Sequence, residues 1–396
     1  MKKMKWVFFG QRISVHEDIL WGAIERGWDI ERSSYLVPDS EYTDSDLDSV
    51  QKELSAYDIA VTLDFSAVVA QAAHNLSRPY VCWVYDCPQR ALYRNEALYD
   101  ENIIFHFDRT EIARLKATGI KNLHYLPLAA NMYRSAGLNI TDDELASMKC
   151  SISFVGNLYQ NPNLTELTEA MLAQYPDTCE DYKAYFSDRL GTWCPGQEKH
   201  ISDDSLFINI LYNSINKDNI DQYPSASRSF WIDSLLSREL TSKERILTLN
   251  ALAPRFNTNM YTRDIATARC IPGLIVHPEV DYNNEMYKIF FASDLNLNIT
   301  LRSIESGIPQ RVFDIMSVGG CVLTNWQPEM EELFIPGKEL ICFHSVDELM
   351  ELTDYYLKHE EEMLRIGIAG YKRVRDEYNY LTAAQKIEEV CRSYSI

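Results

Sequence analysis

Between residues 5 and 128, short runs that are apolar on both faces alternate with segments whose apolar positions recur every three to four residues. The runs 5–9, 57–63, 80–85, 102–107 and 123–128 read as strands, and helical spacing lies between them, as in 19–23 and 111–116. Strands that do not alternate polar with apolar, separated by helices, predict a parallel sheet covered on both faces. A polar stretch, 141–149, reads as a link to a second series. That series opens at 151–155 and resumes with strands at 258–261, 274–277, 294–299, 320–324 and 340–343. In between, Leu164, Leu167, Met171 and Tyr175, then Leu206, Phe207, Ile210 and Leu211, then Phe230, Trp231, Leu235 and Leu236 keep helical spacing, so 160–240 reads as a helical insertion. Ser345 with Glu348 has the spacing of a capping box ahead of an amphipathic helix. The expected division is a domain over 1–145, a second over 150–380 and a closing helical segment over 381–396.

The 396 residues suffice for two domains with substantial cores. A formal charge of −20 argues against a nucleic-acid partner, which needs a basic face. The apolar run after the basic start, Trp6 to Phe9, is too short for a secretory segment, and no stretch approaches the roughly 20 apolar residues of a membrane span. Nine cysteines, an odd count without C-x-x-C pairs, fit reduced thiols of a cytoplasmic protein rather than a disulfide frame or a zinc site. The histidines show no metal spacing, and Asp44, Asp46 and Asp48 lack the glycine and glutamate of a calcium loop. They read as a solvated helix start.

Residues 294–325 carry the most information: a strand, a polar loop, a short helix closed by Gly319 and Gly320, and another strand. Loops of this kind gather at the carboxyl edge of a parallel sheet, where open α/β folds bind ligands. Pro309 suits the first helical position, and the first-turn N–H groups favour an anion. Arg311 and Asp314, three apart, share a helix face. A fixed cation beside a carboxylate suits a phosphate next to a sugar diol, hence a nucleotide-sugar. The same spacing also describes an ordinary surface ion pair, and Asn296, Asn298 and Thr300 read as hydrogen-bonded within the core in preference to direct ligand contact. Gly307 fits close backbone approach to a phosphate, because it lacks a Cβ.

The strings NLNIT, SGIPQRVFDIMSVGG, LTN, EELFIPGKE and YYLKHEEE, followed by AGYKRV, resemble the C-terminal domain of the CgeB-like (spore maturation) glycosyltransferases, a branch of the group 1 GT-B enzymes. YVCWVYDCP, HFD, LPLAAN and SFVGNLY resemble the N-terminal half of the same proteins. The resemblance implies two Rossmann-like domains facing across a cleft, with the closing helix returning to the first. It places the donor ribose at Asp314 and the diphosphate at Arg311, with Arg302 as a second candidate phosphate contact. Gly156 and Asn157 occupy the loop that meets donor phosphates in this fold, and Tyr282 stands near the expected base pocket. Many relatives carry a second glutamate where this chain has Ser306, which leaves Glu305 as a candidate substitute. On the acceptor side, His16 and Asp86 are candidates for a general base, each also readable as a structural hydrogen-bonding residue.

The expected activity is metal-independent transfer of a sugar from a nucleotide-sugar to a hydroxyl of a glycan, protein or other cell-envelope acceptor. Two other readings stay open: a nucleotide-sugar 2-epimerase of the same fold, and a non-catalytic spore or surface-layer protein. Peripheral membrane association and a homodimer stay open as well.

Overall fold

The computed structural model describes residues 4–10, 14–38, 41–187, 189–194, 205–214 and 220–394. The chain divides into two compact units: Met1–Asn131 with Lys217–Ala226 and Glu377–Ile396, and Met132–Asn216 with Ser227–Asp376.

The first unit holds a six-stranded parallel sheet: β1 (Lys5–Phe8), β2 (Asp29–Arg32), β3 (Ile59–Leu63), β4 (Tyr80–Trp83), β5 (Asn102–His106) and β6 (Leu123–Tyr125). Its strand order is β2-β1-β3-β4-β5-β6. The sequence pattern misses β2, whose residues Asp29, Glu31 and Arg32 give no apolar run. It forms because it is an edge strand, with one neighbour and the register Lys5↔Asp29 to Phe8↔Arg32. Phe8, Tyr80, Trp83 and Phe105 fill the core. The helix Tyr380–Ser393 belongs to this unit and packs on Ser14–Glu25. A Cβ at Gly22 would come within 2.9 Å of Tyr380 Cβ, so only glycine allows this approach. Glu388 ties the contact by accepting from Arg26 at 3.0 Å and from the Trp28 indole.

The second unit holds β7 (Ile152–Val155), β8 (Thr258–Thr262), β9 (Ile275–Pro278), β10 (Leu295–Asn298), β11 (Val322–Asn325) and β12 (Ile341–Phe343). They pair in parallel in the order β12-β11-β10-β7-β8-β9. The chain winds one way from β7 and the other way from β10, so the topological switch point lies between these two neighbours. Polar residues of β10 find partners on the neighbouring strands: Asn296 Oδ1 accepts from Ser153 of β7 at 2.8 Å, and Asn298 Nδ2 donates to Thr324 of β11 at 2.9 Å.

Between β7 and β8 run the helices Pro162–Gln174, Cys179–Ser187, Leu206–Ser214 and Arg228–Leu252. Met171, Phe207, Ile232, Leu236 and Leu240 give them an apolar cluster of their own. Residues 188, 195–204 and 215–219 of the expected insertion lie outside the described residues. The polar stretch 141–149 is not an extended link. It is the helix Asp142–Met148, started by a reciprocal Thr141–Glu144 capping box, and Glu144 pairs with Lys288 at 2.6 Å inside the second unit. The expected Ser345 box is half made: Ser345 accepts from the Glu348 amide, while Glu348 reaches back to His344. The Asp44 run is a helix start, with Thr43 and Asp46 in a capping box. None of the nine cysteines is in a disulfide.

Candidate functional site

In the second unit the loop from Ile299 to Pro309 leaves β10 at the switch point and enters the helix Gln310–Ser317. Pro309 stands one residue before the helix, with φ −72° and ψ 155°, and its carbonyl accepts from the Val312 amide at 3.1 Å. The loop is pinned from behind. Thr300 N donates to Asn325 Oδ1 at 2.8 Å, Arg302 N to Thr241 at 2.9 Å, Gln327 Nε2 to the Ile304 carbonyl at 3.1 Å, and Ser306 Oγ to Glu329 at 2.7 Å. Gly307 is buried in the same loop, and Glu305 is half-buried. The position where relatives carry a second glutamate is thus a serine bonded to Glu329, itself 3% exposed.

Arg311 and Asp314 face each other at 3.7 Å, but their environments differ sharply. Asp314 is 1% exposed, and its Oδ1 accepts from Tyr282 at 3.0 Å, Tyr287 at 3.3 Å and Gln310 at 2.9 Å. Burial pushes its carboxyl above the ordinary range, and Arg311 with these three donors pulls it back. Oδ1 is therefore fully engaged by the protein, and Tyr282 joins the site through this carboxylate. The Arg311 guanidinium is more open, at 26% exposed. It rests over Phe290, 5.4 Å from the ring centre, and donates to the Met286 thioether, a weak acceptor.

Gly156 and Asn157 follow β7 on the other side of the switch point. The Gly156 amide donates to Tyr261, and a Cβ there would meet only ordinary contacts, Arg245 at 3.5 Å being nearest. Asn157 Oδ1 accepts from the Arg263 amide at 3.3 Å, and its carbonyl accepts from Arg245. Arg302 has another task than the one expected. Its Nε lies 3.0 Å from both oxygens of Glu244, which is fully buried, and its Nη2 donates to the Arg189 and Thr192 carbonyls. Trp193 lies beneath the guanidinium at 5.2 Å. A guanidinium held in this way through Nε and Nη2 braces the loop from behind.

The first unit brings the acceptor-side candidates to one sheet edge. His16 lies edge-on to Phe8 with ring centres 5.7 Å apart. A Cβ at Gly10 would come within 2.4 Å of Phe8 and 2.9 Å of His16 Nδ1, which makes glycine obligatory where the chain leaves β1. Asp86 follows β4 and is exposed. Between β1 and β4, at the end of β3, stands Asp64, with φ +56°, a conformation aspartate tolerates better than most residues. Its Oδ1 accepts the amides of Tyr85 at 2.8 Å and Asp86 at 2.9 Å. Burial, then the charge of Asp86, pushes the Asp64 carboxyl up to about 7.

Sequence reasoning missed Asp64, Arg245, Tyr287 and Glu329. Asp64 had a legible signal, an acidic residue closing an apolar strand. Arg245 lies in the middle of a 25-residue helix whose polar residues Glu244, Arg245 and Thr248 are all buried, and nothing local marks it. Among the described residues no group of three His, Cys, Asp or Glu side chains could hold a metal ion.

Residues 243–389 match a family model described as glycosyl transferase-like. Solved structures with the same fold include Anabaena Alr3699/HepE in complex with UDP and glucose, at 10% identity over 98% of this chain and 100% of that one, with a TM-score of 0.56. A glycosyltransferase from Rickettsia africae ESF-5 is 11% identical over 98% of each chain, with a TM-score of 0.55. WaaG, a glycosyltransferase of lipopolysaccharide biosynthesis, is 10% identical over 97% of this chain and 99% of that one, with a TM-score of 0.54. No curated protein sequence matches the chain. The fold is that of the GT-B glycosyltransferases, and the loop and helix just described lie within the residues that match the glycosyl transferase-like model. No helix among the described residues is long and apolar enough to cross a membrane.

Proposed function

We propose that the protein transfers a sugar from a nucleotide-sugar to a hydroxyl of a glycan, protein or other cell-envelope acceptor, without a metal, in the manner of the CgeB-like branch that its motifs resemble. The observation that carries this reading is the poorly satisfied Arg311 guanidinium beside the first turn of Gln310–Ser317, at the switch point of a family domain. The HepE complexes hold UDP or UDP-glucose, which supports a nucleoside diphosphate as the donor's leaving part. Attack of the acceptor hydroxyl on the anomeric carbon breaks the sugar–phosphate bond and leaves negative charge on the diphosphate. Arg311 and the first-turn N–H groups stabilise that charge. Asp314, held by two tyrosines and a glutamine, orients the donor side from beneath. In the first unit, Asp86 or His16 takes the acceptor's proton, and Asp64 holds the Asp86 amide in place.

A thermal-shift screen against UDP, GDP, ADP, dTDP and their sugars, with EDTA present, identifies the donor. Loss of one preorganised donor group lowers turnover about a hundredfold or more, which is the expectation for Arg311→Ala. Unchanged kinetics in that variant reject the site. An isomerised nucleotide-sugar, formed without acceptor and seen by NMR, would instead identify an epimerase.

A further inference from the structure

Arg245 is buried at the switch point without a carboxylate of its own. The residue is 7% exposed, its Nη1 donates to the Asn157 carbonyl after β7, and its Nη2 donates to the Ile299 carbonyl after β10 at 2.6 Å. Its Nε is buried with no hydrogen-bond partner. Two rings enclose the guanidinium, Tyr159 at 4.6 Å and Phe154 at 5.2 Å, and Tyr159 adopts φ +57° to lie there. The neighbouring Glu244 is spent on Arg302. Carbonyl dipoles and ring faces hold a cation in place, but they do not neutralise it. A buried charge without a counter-ion is unfavourable unless something else requires it.

The second cation of this region, Arg311, adds to the imbalance. Burial depresses the Arg245 guanidinium below its ordinary range and the Arg311 charge adds to this, while Tyr159 and Glu244 oppose it, so the two arginines feel each other through the protein. Arg311 has the Met286 thioether and, 3.7 Å away, the Asp314 carboxylate that three other donors already fill, while Arg245 has only neutral carbonyls. With one shared carboxylate for two guanidinium groups, the pair keeps positive charge for an arriving anion.

We propose that Arg245 is a positioning residue for the donor's diphosphate: it fastens the loops on both sides of the switch point and, with Arg311, gives the site its affinity for the anionic diphosphate. This rests on the nucleotide-sugar reading and adds to it a selective contribution of Arg245 to the diphosphate over the uncharged nucleoside part. Arg245 belongs to the floor of the site, and Arg311 makes the direct contact.

The test uses the full chain and direct titration with UDP, GDP, ADP and dTDP, inorganic pyrophosphate and the four corresponding nucleosides, at low and high salt. In Arg245→Met the affinity for the bound diphosphate and for pyrophosphate falls by about tenfold or more, the loss expected for a charged hydrogen-bonding group. Nucleoside affinity stays within about twofold, and the salt dependence flattens because one cation is gone. Arg245→Lys, which keeps the charge, binds the diphosphate better than Arg245→Met. Equal losses for nucleoside and diphosphate, or no loss in either variant, would overturn the proposal by reducing Arg245 to a packing residue. Should Arg245→Met not fold, Arg245→Gln takes its place: a wild-type diphosphate affinity and salt slope in that variant overturns the proposal, and a weaker diphosphate affinity with nucleoside affinity kept supports it. The two readings fail separately. Absence of diphosphate binding to the wild type removes the donor assignment, whereas a loss in Arg311→Ala without one in the Arg245 variants removes only this inference.

Discussion

Replacing Arg302 tests whether the loop is braced from behind or contacts the ligand itself. Arg302→Met removes both contacts of Nε with Glu244, the donations to Arg189 and Thr192, and the cation above Trp193. Glu244 is then left fully buried, with the Gly191 amide at 3.3 Å among its remaining donors. Removing one partner of a buried ion pair costs about 3–5 kcal/mol. The partial exposure of Arg302 places the expectation at the lower end, about 3 kcal/mol. The pH dependence has a definite sign. Burial already raises the Glu244 carboxyl above its unfolded value, and loss of Arg302 raises it further. A carboxyl whose folded pKa exceeds its unfolded one binds its proton more tightly when folded, so stability falls as pH rises between the two values. The variant therefore regains stability on acidification from neutral pH toward about pH 5, where the unfolded glutamate begins to titrate. Urea unfolding at both pH values measures this, and Arg302→Met combined with Glu244→Leu should be more stable than Arg302→Met alone. A variant that loses less than about 1 kcal/mol yet binds nucleoside diphosphates poorly would refute the brace and restore Arg302 as a phosphate contact.

Three further outcomes are expected. Gly320→Ala should destabilise by about 1–3 kcal/mol through overpacking, because its Cβ would lie 2.9 Å from Asn296 Nδ2 and Ile315 Cγ2. Gly319→Ala meets nothing within 4 Å but must hold φ +76°, so the expectation from melting curves is a smaller loss of about 1 kcal/mol. His106 is fully buried and accepts the Asp108 amide at Nδ1, and burial lowers its pKa to about 4. The unfolded chain then takes up this proton first, so stability is complete above about pH 6.5 and falls by about 3 kcal/mol toward pH 4. His106→Asn should flatten that part of the urea-midpoint profile, and parallel wild-type and variant profiles would show the histidine not to be responsible.

The strands were legible because eleven of the twelve carry their own signal, an apolar stretch bounded by turn residues. Asp29–Arg32 carries none, since an edge strand needs backbone partners more than apolar side chains. The stretch 141–149 was misread for the opposite reason. Its composition is that of a linker, but Thr141 and Glu144 start a helix that Lys288 then holds. Arg311 and Asp314 were readable as a pair because three residues on a helix is a local spacing. The donors that fill Asp314 Oδ1 were not, since Tyr282 and Tyr287 arrive from before β10. The bracing contacts of Arg302 were hidden for the same reason: an arginine in a polar loop looks solvated until the distant Glu244 is placed beneath it.

The electrostatics of the second unit follow from this partition of charges. A chain of net charge −20 repels an anionic donor at long range, which slows encounter. At physiological ionic strength, however, exposed charges are screened over about 8 Å, whereas buried ones are screened far less. The few cations at the switch point therefore decide the local potential, and which arginines are compensated matters more than how many there are. Arg302 is cancelled by Glu244 and contributes rigidity. Arg245, held by carbonyls, and Arg311, resting on a thioether with Asp314 3.7 Å away, are less fully compensated. Mutating surface carboxylates to raise the net charge should then change association rate and its salt dependence, while changes in Arg245 or Arg311 should appear in dissociation. Stopped-flow binding of a nucleoside diphosphate separates the two, and a surface-charge effect on dissociation as large as that of Arg311→Ala would contradict the division.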